Sequence, residues 1–119
     1  MVSIFNYPKR RLRKLFEEGE YTEALELGKA LEKKNPYDPD LFFIIGSIYY
    51  INGDAKNTLS YLDKVLEINK YDEEALLLKA SVHLHLKNKK EALDCCEKIR
   101  EIDPKSDAIA EILDKLEEN

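Results

Sequence analysis

Few of the residues that carry chemistry occur at spacings that could form a catalytic or metal site. His83 and His85 are two positions apart, so on a helix their side chains point about 200° from each other and cannot form the i, i+4 pair that holds a metal. Cys95 and Cys96 are adjacent, and neighbouring helical side chains diverge too far for a disulfide. The sequence contains neither a glycine-rich phosphate loop nor a nucleophile motif. We therefore predict no enzyme, no cofactor and no metal site.

The composition indicates one folded domain, residues 1–119. Of its 119 residues 36% are charged and 44% apolar, which excludes a disordered or fibrous chain. We predict a cytoplasmic protein without a transmembrane segment, because there is no signal pattern, no apolar run of about 20 residues and no disulfide framework. The net charge of −5 argues against nucleic acid as the main partner, since phosphate binding usually requires a basic surface.

Basic and acidic residues lie near opposite ends of the chain. Five lysines and arginines fall between positions 9 and 14, whereas the charged residues of 101–118 are mostly acidic. By helical spacing, Lys9, Arg10 and Arg13 share one face of the first predicted helix. These three residues form a predicted basic patch that could bind an acidic protein, a membrane or nucleic acid. The plainer interpretation of the patch is a solvated helix face.

A repeat with a period of 34 residues runs through the chain. Residues 19–25, 53–59 and 87–93 read GEYTEAL, GDAKNTL and KNKKEAL. The pairs NP, NK and DP align at the same spacing, beginning at positions 35, 69 and 103. Landmarks that share one period without insertions indicate three structural repeats. Their predicted ranges are 5–38, 39–72 and 73–106.

Each repeat predicts two helices, and a seventh helix follows the third repeat. The predicted helices cover about 8–18, 22–33, 39–51, 55–68, 73–86, a segment that begins after 88, and 107–116. Asp38 is the natural N-cap of the third helix, with Pro39 at its first position. Asn88 forms a capping-box pattern with Glu91 at the start of the sixth. The seventh helix has a single apolar stripe, as expected of an element that caps a stack of repeats.

The repeats resemble those of the tetratricopeptide family, whose signature is aromatic-x-x-Leu-Gly-x-x-Tyr. The matching residues are Phe42, Ile45, Gly46 and Tyr49 in the second repeat and, more loosely, Leu76, Lys79, Ala80 and His83 in the third. The resemblance implies an all-α fold, a right-handed α-solenoid of three repeats with a seventh, capping helix. It also implies that His83 packs in place of a tyrosine and that Cys96 is a core residue. Lys87 departs from the glycine that the family usually has.

The helix predicted at 39–51 is more apolar than packing inside a repeat requires. Apolar residues surround its whole circumference, although a helix packed on one side should have a polar face. By the resemblance, the signature residues pack inside the repeat and other side chains project into a concave groove that family members use to hold peptides or partner helices. The predicted groove residues are Phe43, Ile44, Ser47, Tyr50 and Ile51 from the second repeat and Leu77, Leu78, Ser81, Leu84 and His85 from the third. An apolar patch of this kind usually marks an interaction site.

We predict a protein-interaction scaffold that binds an apolar peptide or an amphipathic helix in this groove. Two alternatives stay open: a homo-oligomer that buries the same groove, and an adaptor that binds an acidic surface through the basic first helix.

Many members of the family hold the C-terminal carboxylate of chaperones through lysine, asparagine and arginine side chains. The matching positions in this chain are Lys9, Arg13, Ile44, Glu74 and Leu78. Ile44 and Leu78 offer no hydrogen bond, and Glu74 would repel a carboxylate. We therefore predict no useful affinity for acidic chaperone tails.

Overall fold

Seven α-helices and no strand form the described part of the chain, a computed structural model of residues 3–118 with side chains described from residue 8 onward. The helices are α1 (Ser3–Glu17), α2 (Tyr21–Lys34), α3 (Pro39–Ile51), α4 (Ala55–Ile68), α5 (Glu73–His85), α6 (Lys89–Ile102) and α7 (Asp107–Glu117). The predicted all-α fold of helical repeats is thereby confirmed. Helices α2, α4 and α6 begin 34 residues apart, and so do α3, α5 and α7.

The period is also present in the backbone of the turns that follow α1, α3 and α5. The residue in the left-handed region is Gly19 in the first turn (φ 79°), Gly53 in the second (φ 78°) and Lys87 in the third (φ 61°). In each turn the next N–H donates to the carbonyl oxygen five residues back, at 2.8–2.9 Å. This is the Schellman arrangement, which closes a helix with a left-handed residue. The three repeats therefore share one turn geometry, and only the third builds it without glycine.

Helix α3 begins as predicted, α1 begins earlier than predicted, and α6 begins after Asn88 as predicted but without the predicted capping box. Asp38 caps α3 as predicted, its Oδ1 accepting from the N–H of Leu41 at 3.3 Å. Helix α1 begins at Ser3 rather than near Pro8, which lies inside the helix and lacks only the hydrogen bond of its own N–H. The capping box at Asn88 was wrong. Asn88 is the N-cap residue of α6, but its side chain makes no cap hydrogen bond. Its Nδ2 lies 3.3 Å from Nδ1 of His83.

The chain divides into two compact units, residues 1–61 and 62–119, so the boundary falls inside α4. In the first unit α1, α2 and α3 pack on one another. Helices α2 and α3 approach closely at Gly28, where an added Cβ would lie 2.9 Å from Cγ1 of the buried Ile45. The sequence did not single out Gly28, because its need for a small residue comes from the neighbouring helix.

In the second unit α5 packs on α6, and α7 packs on both. Its core consists of Leu76, Ala80, Ala92, Cys95, Cys96, Ile99, Ile109, Ile112 and Leu116. Cys96 is thus a core residue, as predicted, and His83 is buried in the place of a tyrosine. The apolar stripe of α7 supplies the last three members of this core. The assignment of residues 1–119 to a single domain, with the repeat limits given above, stays a prediction.

Candidate protein-interaction site

Helix α3 presents two faces with different degrees of burial. Of the signature residues, Phe42, Ile45 and Gly46 are buried and Tyr49 is half-buried. The predicted groove residues Phe43, Ile44, Ser47 and Tyr50 are half-buried, and Ile51 is 47% exposed. By helical spacing the predicted groove residues lie about 150° from the signature residues. An apolar face therefore remains on the side of α3 that the signature does not use.

The buried arc of α3 is wider than the signature. Leu41 and Ile48 are fully buried as well, because α3 packs against both α1 and α2. The sequence pattern did not identify these two residues as core, since the all-round apolar composition of the helix conceals which side faces each neighbour. Outside the signature, Phe43, Ile44 and Tyr50 are the large side chains of α3 that stay half-buried after this packing.

Helix α5 carries the equivalent positions of the third repeat. Leu77, Leu78, Ser81 and Leu84 are half-buried and His85 is exposed. Leu77 and Leu84 pack against the core that α5 shares with α6 and α7. Part of the predicted groove surface of α5 therefore already contributes to the core of the second unit.

The two serines of the predicted groove donate their hydroxyl protons to their own helices. Ser47 Oγ donates to the carbonyl of Phe43 at 2.8 Å, and Ser81 Oγ donates to the carbonyl of Leu77 at 3.1 Å. Such bonds satisfy the hydroxyl without a partner molecule. The serines thus act as small residues between large apolar ones, which suits recognition by shape and apolar contact.

The predicted basic patch is ion-paired within the first unit. Lys9 Nζ lies 3.0 Å from Asp38 and 3.9 Å from Asp40, and Arg13 lies 3.6 Å from Asp40. Arg10 is exposed. Because Asp38 also caps α3, Lys9 links α1 to the start of α3. The sequence identified the cap but not the ion pairs, which join residues about 30 positions apart.

The sequence did not predict the polar network around Tyr61 of α4. Tyr61 is only 4% exposed. Its hydroxyl accepts from Lys29 Nζ at 2.7 Å and donates to Glu32 Oε1 at 2.6 Å. Its ring stacks on Tyr49 with centroids 5.8 Å apart and tilts against Phe42 at 6.1 Å. Burial is the main cause that raises the pKa of Tyr61. The network holds α2 to α4 and supports the signature aromatics of α3.

The cysteines and the buried histidine have environments that suit packing. Burial raises the pKa of Cys95 to about 11 and also raises that of Cys96, so the reactive thiolate is scarce near neutral pH. Burial likewise lowers the pKa of His83 and favours its neutral ring. Among the residues described, no three His, Cys, Asp or Glu side chains are grouped to hold a metal ion. No helix within this part of the chain is long and apolar enough to cross a bilayer.

Residues 49–116, more than half of the chain, match the family model described as tetratricopeptide repeat. The chain therefore belongs to the tetratricopeptide repeat family, as its period and signature predicted. Proteins of this family are generally interaction modules without enzymatic activity. Among curated proteins, no sequence matches the chain at a significant level.

Solved tetratricopeptide structures share the fold. The first repeat domain of Spaghetti (RPAP3) bound to the HSP90 peptide SRMEEVD is 21% identical with a TM-score of 0.87, and the match covers 94% of this chain and 89% of that one. The Yersinia enterocolitica secretion chaperone SycD, in complex with a peptide of the translocator YopD, is 15% identical at a TM-score of 0.84, over 99% and 93% of the two chains. A Parabacteroides merdae repeat protein is 20% identical at 0.89, but the match covers 98% of this chain and only 45% of that protein. At these identities the likeness establishes the fold alone.

Proposed function

We propose that this protein is an interaction scaffold that binds an apolar peptide or an amphipathic helix through apolar side chains on the outward face of α3 or on that of α5. The observation that carries the proposal is the face of α3. Phe43, Ile44 and Tyr50 stay half-buried and Ile51 is exposed, whereas Leu41, Phe42, Ile45 and Ile48 on the other side of the helix are buried. Related folds supply support, because the RPAP3 domain and SycD were both solved with bound peptides.

The chemistry of the face favours an apolar ligand. Large side chains alternate with serines whose hydroxyls already donate within the helix. A ligand read by such a surface gains affinity from a few anchors that become fully buried. Tyr50 adds a polar hydroxyl at the same face. Removal of one central anchor is expected to cost about 1–3 kcal/mol of binding free energy.

The test compares two face variants with a matched surface variant. Phe43→Ser and Leu77→Ser each remove an apolar side chain from the proposed binding faces. Ile102→Ser removes an exposed apolar side chain from α6, a helix that carries none of the predicted groove residues, and serves as the control. Immobilised protein is used to capture partners, and the bound proteins are compared by mass spectrometry across the four chains. The proposal expects both face variants to lose a partner that the control retains.

Self-association through the same faces is distinguished by light scattering over a range of protein concentrations. A mass that rises with concentration in the wild-type chain and in Ile102→Ser, but not in Phe43→Ser, would favour a homo-oligomer. A third outcome is a large loss of stability in Phe43→Ser without any change in partner capture or in self-association. That result would make the face of α3 ordinary core and would contradict the proposal.

The adaptor alternative has less support from the contacts of the first unit. Lys9 and Arg13 are paired with Asp38 and Asp40, so their charges are partly neutralised within the chain. If the basic patch nevertheless directs binding, association is expected to weaken steeply with added salt. If the partner is captured at the same rate at low and at high salt, the basic patch is only a solvated helix face.

We also expect no dependence on a free C-terminal carboxylate in the ligand. Ile44 and Leu78 occupy positions where a carboxylate would need hydrogen-bond donors, and Glu74 adds a like charge. Titration with an acidic peptide that ends in a free carboxylate, compared with the same peptide amidated at its C-terminus, measures this. Micromolar affinity for the free form alone would contradict the expectation.

A further inference from the structure

The second unit contains a small cavity at one end of α5. Leu84 of α5, Lys87 of the following turn, Lys89 of α6 and Leu116 of α7 line it, and its volume is about 160 Å³. A cavity of about 150 Å³ can hold a benzene molecule. The space therefore suits one apolar side chain of the size of leucine or phenylalanine.

The cavity opens to solvent, and two leucines and two lysines line it. The two leucines form the apolar part, and the hydrocarbon stems of lysine side chains can extend such a surface while their ammonium groups reach solvent. None of the described residues that line the cavity is acidic. Within the described side chains, Lys87 and Lys89 have no ion-pair partner, whereas the adjacent Lys90 lies 3.8 Å from Asp94. The rim thus carries two positive charges that no described acidic side chain pairs with.

The conformation of Lys87 is a second, independent observation. Its φ of 61° lies in the left-handed region, at the position where the first two repeats have Gly19 and Gly53. A side chain is strained in this region and glycine is not. Strain of this kind persists most often where the side chain serves a function. A lysine in place of glycine, at the rim of a cavity, points to a use for its charge.

We propose that this cavity binds an apolar side chain flanked by aspartate or glutamate in a partner peptide. The apolar side chain fills the space between Leu84 and Leu116, and the flanking carboxylates pair with Lys87 and Lys89. This proposal rests on the proposed function, because Leu84 belongs to the outward face of α5. It adds the chemistry of the partner, namely acidic residues next to an apolar anchor.

Acidic side chains within the peptide fit the rim better than a chain terminus. Two separate lysines offer two cationic positions, whereas a C-terminus supplies one carboxylate. When two acidic residues flank the apolar residue of the peptide, one carboxylate is placed at each lysine. A free C-terminus and a fatty-acid carboxylate are the other possible occupants, and the experiment separates them.

The experiment is a titration of the 15N-labelled full chain followed by amide chemical shifts. The probe is a short N-acetylated, C-amidated peptide with one leucine between an aspartate and a glutamate in a serine and glycine background. We expect saturable shifts at Leu84, Lys87, Lys89 and Leu116. Replacing the leucine of the probe with serine is expected to weaken binding at least about tenfold, because it removes the buried apolar group. Replacing both acids with their amides tests the charge pairing.

Protein variants locate the effect. Lys87→Gly removes the charge and keeps the turn geometry, and Lys89→Gln removes the second charge. Each is expected to weaken binding about threefold, as exposed ion pairs do. Lys90→Gln, whose side chain does not line the cavity, is the control and is expected to bind like the wild-type chain.

Several results would overturn the proposal. These are shifts that the serine or amide probes reproduce at full strength, shifts that appear only with a free C-terminus or a fatty acid, and equal weakening in Lys90→Gln. Failure of the proposed function is a separate outcome. If Phe43→Ser loses partner capture while Lys87→Gly and Lys89→Gln retain it, the scaffold function stands and only the cavity proposal fails.

Discussion

Helices α3 and α5 occupy equivalent places in consecutive repeats, yet their outward faces are used differently. Both begin after an aspartate cap, Asp38 or Asp72. On α3 the large apolar side chains beyond the packing arc stay half-buried. On α5, Leu77 and Leu84 pack against a core that α7 helps to form. A shared register therefore fixes where a side chain lies, whereas its neighbours decide whether it stabilises the fold or remains available to a partner.

Removal of α7 is the strongest way to disturb this comparison. A chain that ends before Asp107 loses Ile109, Ile112 and Leu116 from the core of the second unit. Each buried apolar side chain contributes about 1.5–3 kcal/mol, so the loss is about 5 kcal/mol, comparable with the whole stability of many domains. Urea unfolding followed by circular dichroism, together with solubility, measures this. Removal of residues 118–119 alone is the control. Equal stability and solubility of the two truncated chains would refute a capping role for α7.

Serine substitutions at equivalent positions of the two faces sharpen the contrast. Leu77→Ser is expected to lower the free energy of unfolding by about 2 kcal/mol, because Leu77 packs against the core. Phe43→Ser should cost only about 1 kcal/mol, despite the larger side chain, if the face of α3 is kept for a partner. Chemical denaturation of both variants measures the difference. A greater loss for Phe43→Ser would reverse our assignment of the two faces.

The turns after α3 and α5 offer a reciprocal exchange of Gly53 and Lys87. Relief of the left-handed strain at Lys87→Gly gains about 1–2 kcal/mol, and the greater freedom of glycine in the unfolded chain offsets about 0.5–1 kcal/mol of it. We expect Lys87→Gly to stabilise the protein by about 0.5–1 kcal/mol and Gly53→Lys to destabilise it by a similar amount. Thermal unfolding of the two variants and of the double exchange measures both signs. Destabilisation by Lys87→Gly would show that the lysine side chain makes a stabilising contact in the folded protein.

His83 and Tyr49 stand at the same position of their repeats and predict different responses to acid. The pKa of His83 is lowered, mainly by burial and further by Lys79, while Glu91 and Asp63 oppose the shift. The folded chain then binds a proton less readily than the unfolded chain, so stability is complete above the unfolded pKa of about 6.5 and declines as the pH falls below it. His83→Tyr should remove this decline as the pH falls below about 6.5, and His85→Gln should leave it in place. An unchanged pH profile for His83→Tyr would assign the decline to other groups.

The sequence by itself determined the helices, the repeat and the family, because these depend on local chemistry. Asp38 and Pro39 determine the start of α3, and the glycines at positions 19 and 53 end α1 and α3. Equivalent positions recur every 34 residues along the chain. The helices of the second and third repeats accordingly lie within about a residue of their predicted limits. Helix α1 was predicted less well, because it begins at Ser3 and continues through Pro8, although proline is disfavoured inside a helix.

Only the tertiary structure decided what each surface does. The ion pair of Lys9 with Asp38, the network around Tyr61, and the close approach at Gly28 join residues that are far apart in sequence. The cavity at Leu84 and Leu116 exists because α7 folds back on α5. Periodicity assigned the side chains of α3 and α5 to the same face, but it could not distinguish Phe43 from Leu77. That difference depends on the atoms that neighbouring helices bring within contact, and a repeat pattern contains no information about them.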